Sequence, residues 1–533
     1  MLGRKEMRIV GYHISSTGII ANSDGEWTDK PPYLDWLLMP KPETLKVLYY
    51  MTQNIAALAK ITKMSKEEVQ KLNSKNNKAY LPPYKIDYIP NKYFALHKGY
   101  YWGAPFAFFG DAHQYKNTEA TEDSGIIECI GKAKVAQEIG EEVFRTLQSI
   151  GLKPKSLTSP IKTFEIDVLS KLSLPSIDDI PEEAGLFAYE CCKGNWVEAF
   201  QLGHWEKVWN YDICSAYPAQ IAKLLDLRLG KWVQSNRFMP EAKYGYCKGM
   251  ISINKDVEFT PFIYRQENQK GLPVLHCVTG KYPKFITKAS IEFLENWKLG
   301  SFEIESGWWW LAEKEERPLK SLVNWLFLEK EKTDGGRRNV IKRIMAAMFG
   351  KMLEIRNEQF GNLFNPVWAA ETEVSTRLEV ADFVLRNKIS VIHIAVDNVI
   401  TPEPVVLGES GLGEWKLNTI SPCLCAGTGA VAIRDEGIGD FHLKYDWLRE
   451  QIEKEPEASE YKLTRMTPVT IGEAYGSAEK FGKLGELQEL TKVVSIGQGE
   501  KRCYREQPKN GTELLSGTYE SLPWDVSLVS KPD

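Results

Sequence analysis

The spacing of apolar residues changes period several times along this chain, and the clearest helical stretch lies between residues 318 and 352. Leu319, Leu322, Val323 and Leu326 recur one helical turn apart, Thr333-Asp334-Gly335-Gly336 interrupts them, and Val340, Ile341, Ile344, Met345 and Met348 resume the period. This predicts an antiparallel helical hairpin. Lys330 and Lys332 end its first arm, while Arg337, Arg338 and Lys342 open the second, with Arg338 and Lys342 on one face. Taken alone, such a hairpin is a solvated pair of basic helices. Elsewhere, residues 7–14, 101–109 and 302–310 read as strands, and 132–150, 280–300 and the segment after Asn365-Pro366 that carries Arg377 read as helices. Polar stretches at 65–77 and 117–124 read as surface loop. Pro154, Pro160, Pro175 and Pro181 predict an extended connection over 152–184. No internal repeat is visible.

Composition narrows the class without naming it. At 533 residues, 43% hydrophobic and 26% charged, the chain can bury several cores, roughly three to five domain-sized units. No apolar run approaches the roughly 20 residues of a membrane span, and the first residues lack the hydrophobic region of a signal peptide. The nine cysteines include Cys191-Cys192 and Cys423-Leu424-Cys425, with no zinc-finger spacing, so reduced thiols in a cytoplasmic compartment are expected. A net charge of −4 means that any affinity for nucleic acid comes from local basic patches.

Candidate chemistry begins at Asp212-Ile213-Cys214-Ser215-Ala216-Tyr217-Pro218. A lone carboxylate ends an apolar strand there, and a tight turn and an aromatic follow. The carboxylate can hold a hard cation, and the turn can offer N–H groups to phosphates. A simple Tyr-Pro turn is the plain alternative. Downstream, Lys342-Arg343-Ile344-Met345-Ala346-Ala347-Met348-Phe349-Gly350 places a lysine, an aromatic and a glycine on the hairpin's second arm, and Ile392-His393-Ile394-Ala395-Val396-Asp397-Asn398 sets one carboxylate in an apolar run.

In order and spacing these three segments resemble motifs A, B and C of the family B DNA polymerases, whose usual forms are Asp-x-x-Ser-Leu-Tyr-Pro, Lys-x-x-x-Asn-Ser-x-Tyr-Gly and Tyr-x-Asp-Thr-Asp-Ser. The resemblance runs from about Gly185 to Leu417. Tyr189-Glu190-Cys191-Cys192-Lys193-Gly194 stands where many members have Tyr-x-Gly-Gly, a loop meeting the template, and Leu412-Gly413-Glu414-Trp415-Lys416 follows motif C as a similar segment often does. It implies an α+β, multidomain right hand: an N-terminal degenerate RNase H-like exonuclease-type domain at 1–184, palm at 185–317 and 353–432, fingers at 318–352 and thumb at 433–533. The thumb's basic residues would be Lys462, Arg465, Lys480, Lys483, Lys501 and Arg502. It further implies a DNA-directed DNA polymerase with primer–template DNA and dNTPs as partners, a processivity or priming protein as a further one, no membrane, and a phage or mobile-element source in a bacterial or infected host cell.

The resemblance also implies roles. Asp212 and Asp397, with the Ile213 carbonyl, would hold two Mg²⁺ ions, Mn²⁺ being a substitute. Cys214, Ser215, Ala216, Tyr217, Lys330, Arg338, Lys342 and Ala346 would line the dNTP site, with Tyr217 under the sugar as a barrier to ribonucleotides. Tyr189, Lys193, Gly194 and Lys416 would meet template and primer.

Departures from the pattern keep two other readings open. Ala395 replaces the first motif C aspartate, Ala346, Ala347 and Phe349 replace the motif B asparagine, serine and tyrosine, and the Lys-x-Tyr primer motif is absent from residues 429–433. These changes suit a catalytically impaired nucleic-acid-binding subunit of a replication or defence complex, and a nuclease or nucleotidyltransferase on another palm-like fold is the third possibility. Proofreading is not expected: the strand at 8–14 carries no acid, and Asp111, Glu138 and Glu141 read as isolated surface carboxylates. The interval from Gly350 to Asp397 looks too short for the extra hairpin of protein-primed polymerases.

Overall fold

The computed structural model describes residues 7–529 apart from 40–43, 74–77, 91–92, 100–105, 117, 122–124, 155–156, 158–159, 193, 195, 268–272, 357–358, 435–442 and 498–500. The chain divides into two compact units. One comprises residues 1–172, 328–344 and 464–491, the other 173–327, 345–463 and 492–533. No helix among the described residues is long and apolar enough to cross a membrane.

The first unit is built on a mixed eight-stranded sheet. Its strands are β1 (Arg8–Ile14), β2 (Ile20–Asn22), β3 (Trp27–Thr28), β4 (Thr44–Leu48), β5 (Lys78–Leu81), β6 (Tyr84–Ile89), β7 (Tyr93–Lys98) and β8 (Phe106–Asp111), in the order β3-β2-β1-β4-β8-β7-β6-β5. β1, β4 and β8 run parallel, and the flanking strands are antiparallel. Helices α1 (Tyr33–Leu38), α2 (Met51–Ile61), α3 (Lys66–Asn73), α4 (Ile126–Ser149) and α5 (Pro160–Asp167) accompany it. Val10, Tyr12, Leu48, Ile55, Leu58, Val69, Ile86 and Phe109 share one core with Val469, Ile471 and Leu484. On the other face α4 lies almost on the backbone of β1, because a Cβ at Gly11 would stand 1.8 Å from the Ala133 carbonyl oxygen. Only glycine permits that approach.

The second unit follows the chain through α6 (Glu182–Cys191), β9 (Val197–Ala199), β10 (Gln201–Ile213), α7 (Ala216–Ile221), β11 (Gly230–Gln234), β12 (Tyr244–Ile253), β13 (Ile263–Glu267), β14 (Pro273–Thr287), α8 (Lys288–Asn296) and β15 (Gly300–Ala312). The hairpin α9 (Lys320–Glu331) and α10 (Gly335–Met352) comes next, then β16 (Ile355–Arg356), β17 (Gln359–Phe360), α11 (Pro366–Asn387), β18 (His393–Ala395), β19 (Asn398–Thr401), β20 (Trp415–Gly427), β21 (Ala430–Ile433) and α12 (Tyr445–Lys454). β22 (Glu460–Pro468) and β23 (Leu487–Ser495), which fall largely within the 464–491 segment of the first unit, pair with each other, and β24 (Cys503–Tyr504) and β25 (Thr518–Leu522) complete the strands used below.

Two sheets organise this unit. One has the order β21-β20-β10-β19-β18-β9, with β25 also on β10, and the other runs β11-β15-β12-β14-β13. A buried ion pair fastens the C-terminal segment to the first sheet. Arg502, 2% exposed, faces Glu198, 1% exposed, at 3.5 Å. Its guanidinium also donates to Ser521 Oγ and the Glu258 carbonyl and lies 4.2 Å above the Phe200 ring. The indole of Trp196 donates to the second oxygen of Glu198 at 2.8 Å.

The helical hairpin at 320–352 and the helix after Asn365 form as the apolar period requires, and Asn365 caps the latter by accepting from the Trp368 N–H. Several other expectations are corrected. Residues 66–73 are helical, because Val69 and Leu72 give that polar stretch one buried edge. The region 152–184 contains α5 and the start of α6: Pro160 opens one helix and Pro181 precedes the other, positions where the missing N–H costs nothing. Residues 280–287 are strand, not helix. Asp111 is fully buried rather than a surface carboxylate, and it caps the entry to α2 by accepting from the Met51 N–H at 3.0 Å. Arg502 is unavailable to DNA phosphates because it is spent on Glu198. The interval before Asp397 does contain a hairpin, though a minimal one of two residues per strand, β16 with β17. None of the nine cysteines is in a disulfide.

Removing one partner of a buried ion pair leaves a charge without compensation. Arg502→Ala is therefore expected to destabilise the protein by about 3 kcal/mol, read from urea unfolding with a probe on the second unit. A loss well under 1 kcal/mol would mean that water reaches Glu198.

Candidate active site

Asp212 sits near the end of β10, the central strand of its sheet, so its environment is set by the register of the strands on either side. Asp212 lies opposite Asn398 of β19 and opposite Lys416 of β20, and Asn398 in turn lies opposite Ala395 of β18. Residues directly opposite one another share a sheet face. Lys416, Asp212, Asn398 and Ala395 therefore form one row across the sheet. Ala395, where the resemblance would place a further carboxylate, thus belongs to the same row as Asp212.

Asp397 enters from the two-residue turn between β18 and β19. The backbone joins the two aspartates directly: the Ile213 N–H donates to the Asp397 carbonyl at 3.1 Å. Val396, the other turn residue, has φ +62°, and its N–H donates to the Trp196 carbonyl at 2.7 Å. A β-branched residue in left-handed backbone is strained. Asn398 closes the other side, its amide donating to the Asn210 side chain and the Tyr211 carbonyl.

Past Asp212 the chain turns sharply. The Cys214 N–H donates to the Glu414 carbonyl, the Gly413 N–H donates back to the Cys214 carbonyl, and Ser215, at φ +55°, precedes α7. The amides of Ile213 and Cys214 are thus already bonded, and any N–H offered to an anion comes from Ser215 or beyond. Tyr217, on the first turn of α7, is half-buried with its ring 4.5 Å from that of Phe349. Burial holds its hydroxyl above the ordinary tyrosine pKa, with the carboxylates of Glu373 and Asp397 adding to the effect and Arg377 opposing it.

The Asp212 carboxylate already carries a cation. Lys416 Nζ stands 3.2 Å from its Oδ2. Carboxylate oxygens are donors of the hardness Mg²⁺ prefers, and the main chain of a second aspartate, Asp397, adjoins that of Asp212 through the Ile213 N–H. Among the described residues no group of three or more His, Cys, Asp or Glu is gathered as a metal cluster, so further ligands would have to come from backbone, water or substrate oxygens.

No protein-family model and no curated relative matches the chain. Solved structures do. A complex of phi29 DNA polymerase with primer-template DNA and incoming nucleotide substrates aligns with TM-score 0.58 and 11% identity over 92% of this chain and 100% of that one. The phi29 enzyme with single-stranded DNA gives 0.52 and 12% over 98% and 99%. The chain shares the fold of phi29 DNA polymerase.

Within that phi29-like fold, the other residues singled out by sequence fall in several places. Lys330, Arg338 and Lys342 lie in the segment that clusters with the first unit, whereas Asp212, Tyr217, Ala346 and Asp397 belong to the second. Lys330 is 5% exposed and 3.1 Å from Glu331, and Arg338 pairs with the same carboxylate at 3.0 Å. Lys342 and Ala346 lie on the exposed side of α10, opposite Ile341, Ile344, Met345 and Met348. Tyr189 is exposed on the last turn of α6, so its segment is helix where a loop was expected. Lys193 lies outside the described residues. Gly194 is held at both backbone groups, its N–H by Glu373 at 3.1 Å and its carbonyl by Arg377 at 3.1 Å, and these two side chains pair with each other.

Sequence reasoning missed Asn398, Asn210 and Glu373, and it placed Lys416 on the primer–template rather than on Asp212. Strand register carries that information, and no local motif reports it. The i,i+4 spacing of Glu373 and Arg377 was the one available signal, since it places both on one face of α11.

The strained turn yields a prediction. Val396→Gly is expected to stabilise the second unit by up to about 1 kcal/mol, as relief of left-handed strain exceeds the entropy of the added glycine. Thermal unfolding measures it, and a destabilisation of that size would show that packing of the Val396 side chain outweighs the strain.

Proposed function

We propose that this protein is a DNA-directed DNA polymerase that adds dNTPs to a primer 3′-hydroxyl and lacks proofreading. The observation that carries the reading is the pairing of Asp212 with the strand after Asp397, joined by the Ile213–Asp397 hydrogen bond, in a fold shared with a DNA polymerase. Asp212, Asp397 and the Ile213 carbonyl would hold two divalent cations, Mg²⁺ in the first instance. When bound, such cations lower the pKa of the attacking hydroxyl and offset charge on the pyrophosphate. The chain's own residues do the positioning. The paired β10–β19 backbone holds the main chain of the two aspartates, and the turn at 213–216 and α7 set Tyr217 against Phe349. Lys330 and Arg338, engaged with Glu331, would meet phosphates only after that pairing opens.

Absence of proofreading rests on the first unit. The order β3-β2-β1-β4-β8 with parallel β1, β4 and β8 supports an RNase H-like origin for it. Around the ends of β1 and β8, where such a nuclease would cluster acids, the residues are His13, Asp111 and, on α2, Asn54, all fully buried. Asn54 accepts from the Ile14 N–H, and Asp111 accepts from the Met51 and His113 amides, its carboxyl pushed up to about 7 by burial. Both amides bond to Oδ1, while Oδ2 is buried without a hydrogen-bond partner among the described residues, so what argues against a nuclease metal site here is the lack of a second acid beside this carboxyl.

A specific observation favours a second reading, that of a catalytically impaired DNA-binding relative. The row Lys416–Asp212–Asn398–Ala395 holds one carboxylate and one ammonium, so the site has less negative charge than two cations ordinarily require. Primer extension decides between the two.

With purified protein, a labelled primer–template, Mg²⁺ and dNTPs, templated extension is expected, and Asp212→Ala or Asp397→Ala should each reduce it at least about a thousandfold, roughly 4 kcal/mol, with primer–template binding retained. The same gels, run with a mismatched primer and no dNTPs, should show no shortening. Extension by both mutants near the wild-type rate would remove the assignment, and Asp111-dependent primer shortening would remove the proofreading claim.

The contact between the tilted rings of Tyr217 and Phe349 generates a second test. If Tyr217 lies under the sugar, Tyr217→Ala should raise the ribonucleotide-to-deoxyribonucleotide ratio of kcat/KM at least about tenfold, roughly 1.4 kcal/mol of discrimination. An unchanged ratio in an active mutant would leave Tyr217 as a packing partner of Phe349 only.

A further inference from the structure

Lys416 has a role that the polymerase reading does not require of it. It is the cross-strand partner of Asp212 on β20, and its ammonium is 3.2 Å from the carboxylate that the reading assigns to a divalent cation. Both side chains are partly open to solvent, 39% for Lys416 and 23% for Asp212. Such a pair is weak enough to exchange.

The row around it explains why a positive charge is tolerated there and what it does. Directly across from Asp212 on one side is Lys416, on the other Asn398, and beyond that Ala395. Neither Asn398 nor Ala395 supplies negative charge. The ammonium therefore balances Asp212 alone, and a divalent cation reaching Asp212 meets a like charge one strand away. Asp397 is the other acidic group beside the site, and it enters from the turn rather than from this row.

We propose that Lys416 is a resident counter-cation of the site: it positions the Asp212 carboxylate while the site is empty and competes with the divalent cation for it. Cation loading then includes an exchange, in which Lys416 releases Asp212 and its ammonium becomes free to pair with an incoming anionic group. No covalent step is involved. This inference rests on the assignment of Asp212 as a cation ligand made above. Repulsion between a divalent ion and an ammonium a few ångströms apart, screened by partial solvent, is enough to change affinity by an order of magnitude.

Mn²⁺ binding to the full chain, followed by the loss of the free-ion electron paramagnetic resonance signal, tests this without any turnover. The Asp212-dependent site is the difference between wild type and Asp212→Asn. At that site Lys416→Met is expected to bind Mn²⁺ about tenfold more tightly than wild type, Lys416→Gln similarly, and Lys416→Arg with the wild-type affinity. Lys416 is only partly buried on its strand, and the two neutral variants guard against a local packing effect of either one. Asp212-dependent binding with equal or lower affinity in both neutral variants would overturn the role of Lys416 and leave the cation site standing. Mn²⁺ binding that never depends on Asp212, in wild type or in the Lys416 variants, would overturn the cation assignment itself and this proposal with it.

Discussion

The pairing of β10 with strands on both sides is the constraint on which the rest of the site depends. A central strand has its backbone donors and acceptors committed along both edges, and here the commitment continues past the last regular pair. Ile213 bonds to Asp397 on one edge, and Cys214 exchanges hydrogen bonds with the 413–414 segment on the other. The carboxylate of Asp212 is thereby carried on backbone that cannot shift without breaking bonds to two neighbouring strands. Asp397 is located by the same bonds even though it lies in a turn. The strained φ of Val396 persists because those flanking strands over-determine it.

Helix α11 supports this sheet end from beneath. The Trp368 indole donates to the Leu225 carbonyl, Glu379 accepts from Gln220 on α7, and Phe383 stacks on Trp415, one residue before Lys416, at 3.8 Å. Farther along, Glu373 and Arg377 clamp Gly194. One helix thus fixes the segment after α6, the helix that carries Tyr217, and the start of the strand that carries Lys416. Sites held on regular elements in this way keep their geometry better than sites carried by loops.

What the sequence revealed follows from where the information lies. Helices α9, α10 and α11 were legible because their buried residues recur at i, i+3 and i+4 over long stretches. The segment from Gly280 was misread for a physical reason: Val278, Tyr282 and Ile286 are buried four residues apart, a spacing that fits every second inward position of a strand as well as a helical turn. Pro160 and Pro181 were taken as breakers although both stand where a helix begins. Asp212, Asp397 and Tyr217 could be named from their surroundings in the chain. The burial of Asp111 and the partners of Lys416 and Arg502 could not, since each is decided by residues distant in sequence that only strand register or packing brings near.

The same row of side chains links the divergence of the sequence to its electrostatics. In a site built for cations, replacing one carboxylate by alanine lowers the attraction for them, and placing an ammonium against a remaining carboxylate lowers it further. Ala395 and Lys416 lie on one face of one sheet, while the backbone around Asp212 is held by hydrogen bonds that depend on neither side chain. Fold and charge have therefore varied separately. The frame that aligns the aspartates is secured by main-chain bonding and by α11, so the charge around them is free to change without cost to the structure. That separation lets a chain with 11% identity to its structural neighbour retain the neighbour's fold. The charge presented at this sheet end is accordingly set by side chains such as Lys416 and Asp212 rather than by the main-chain bonds that hold the strands.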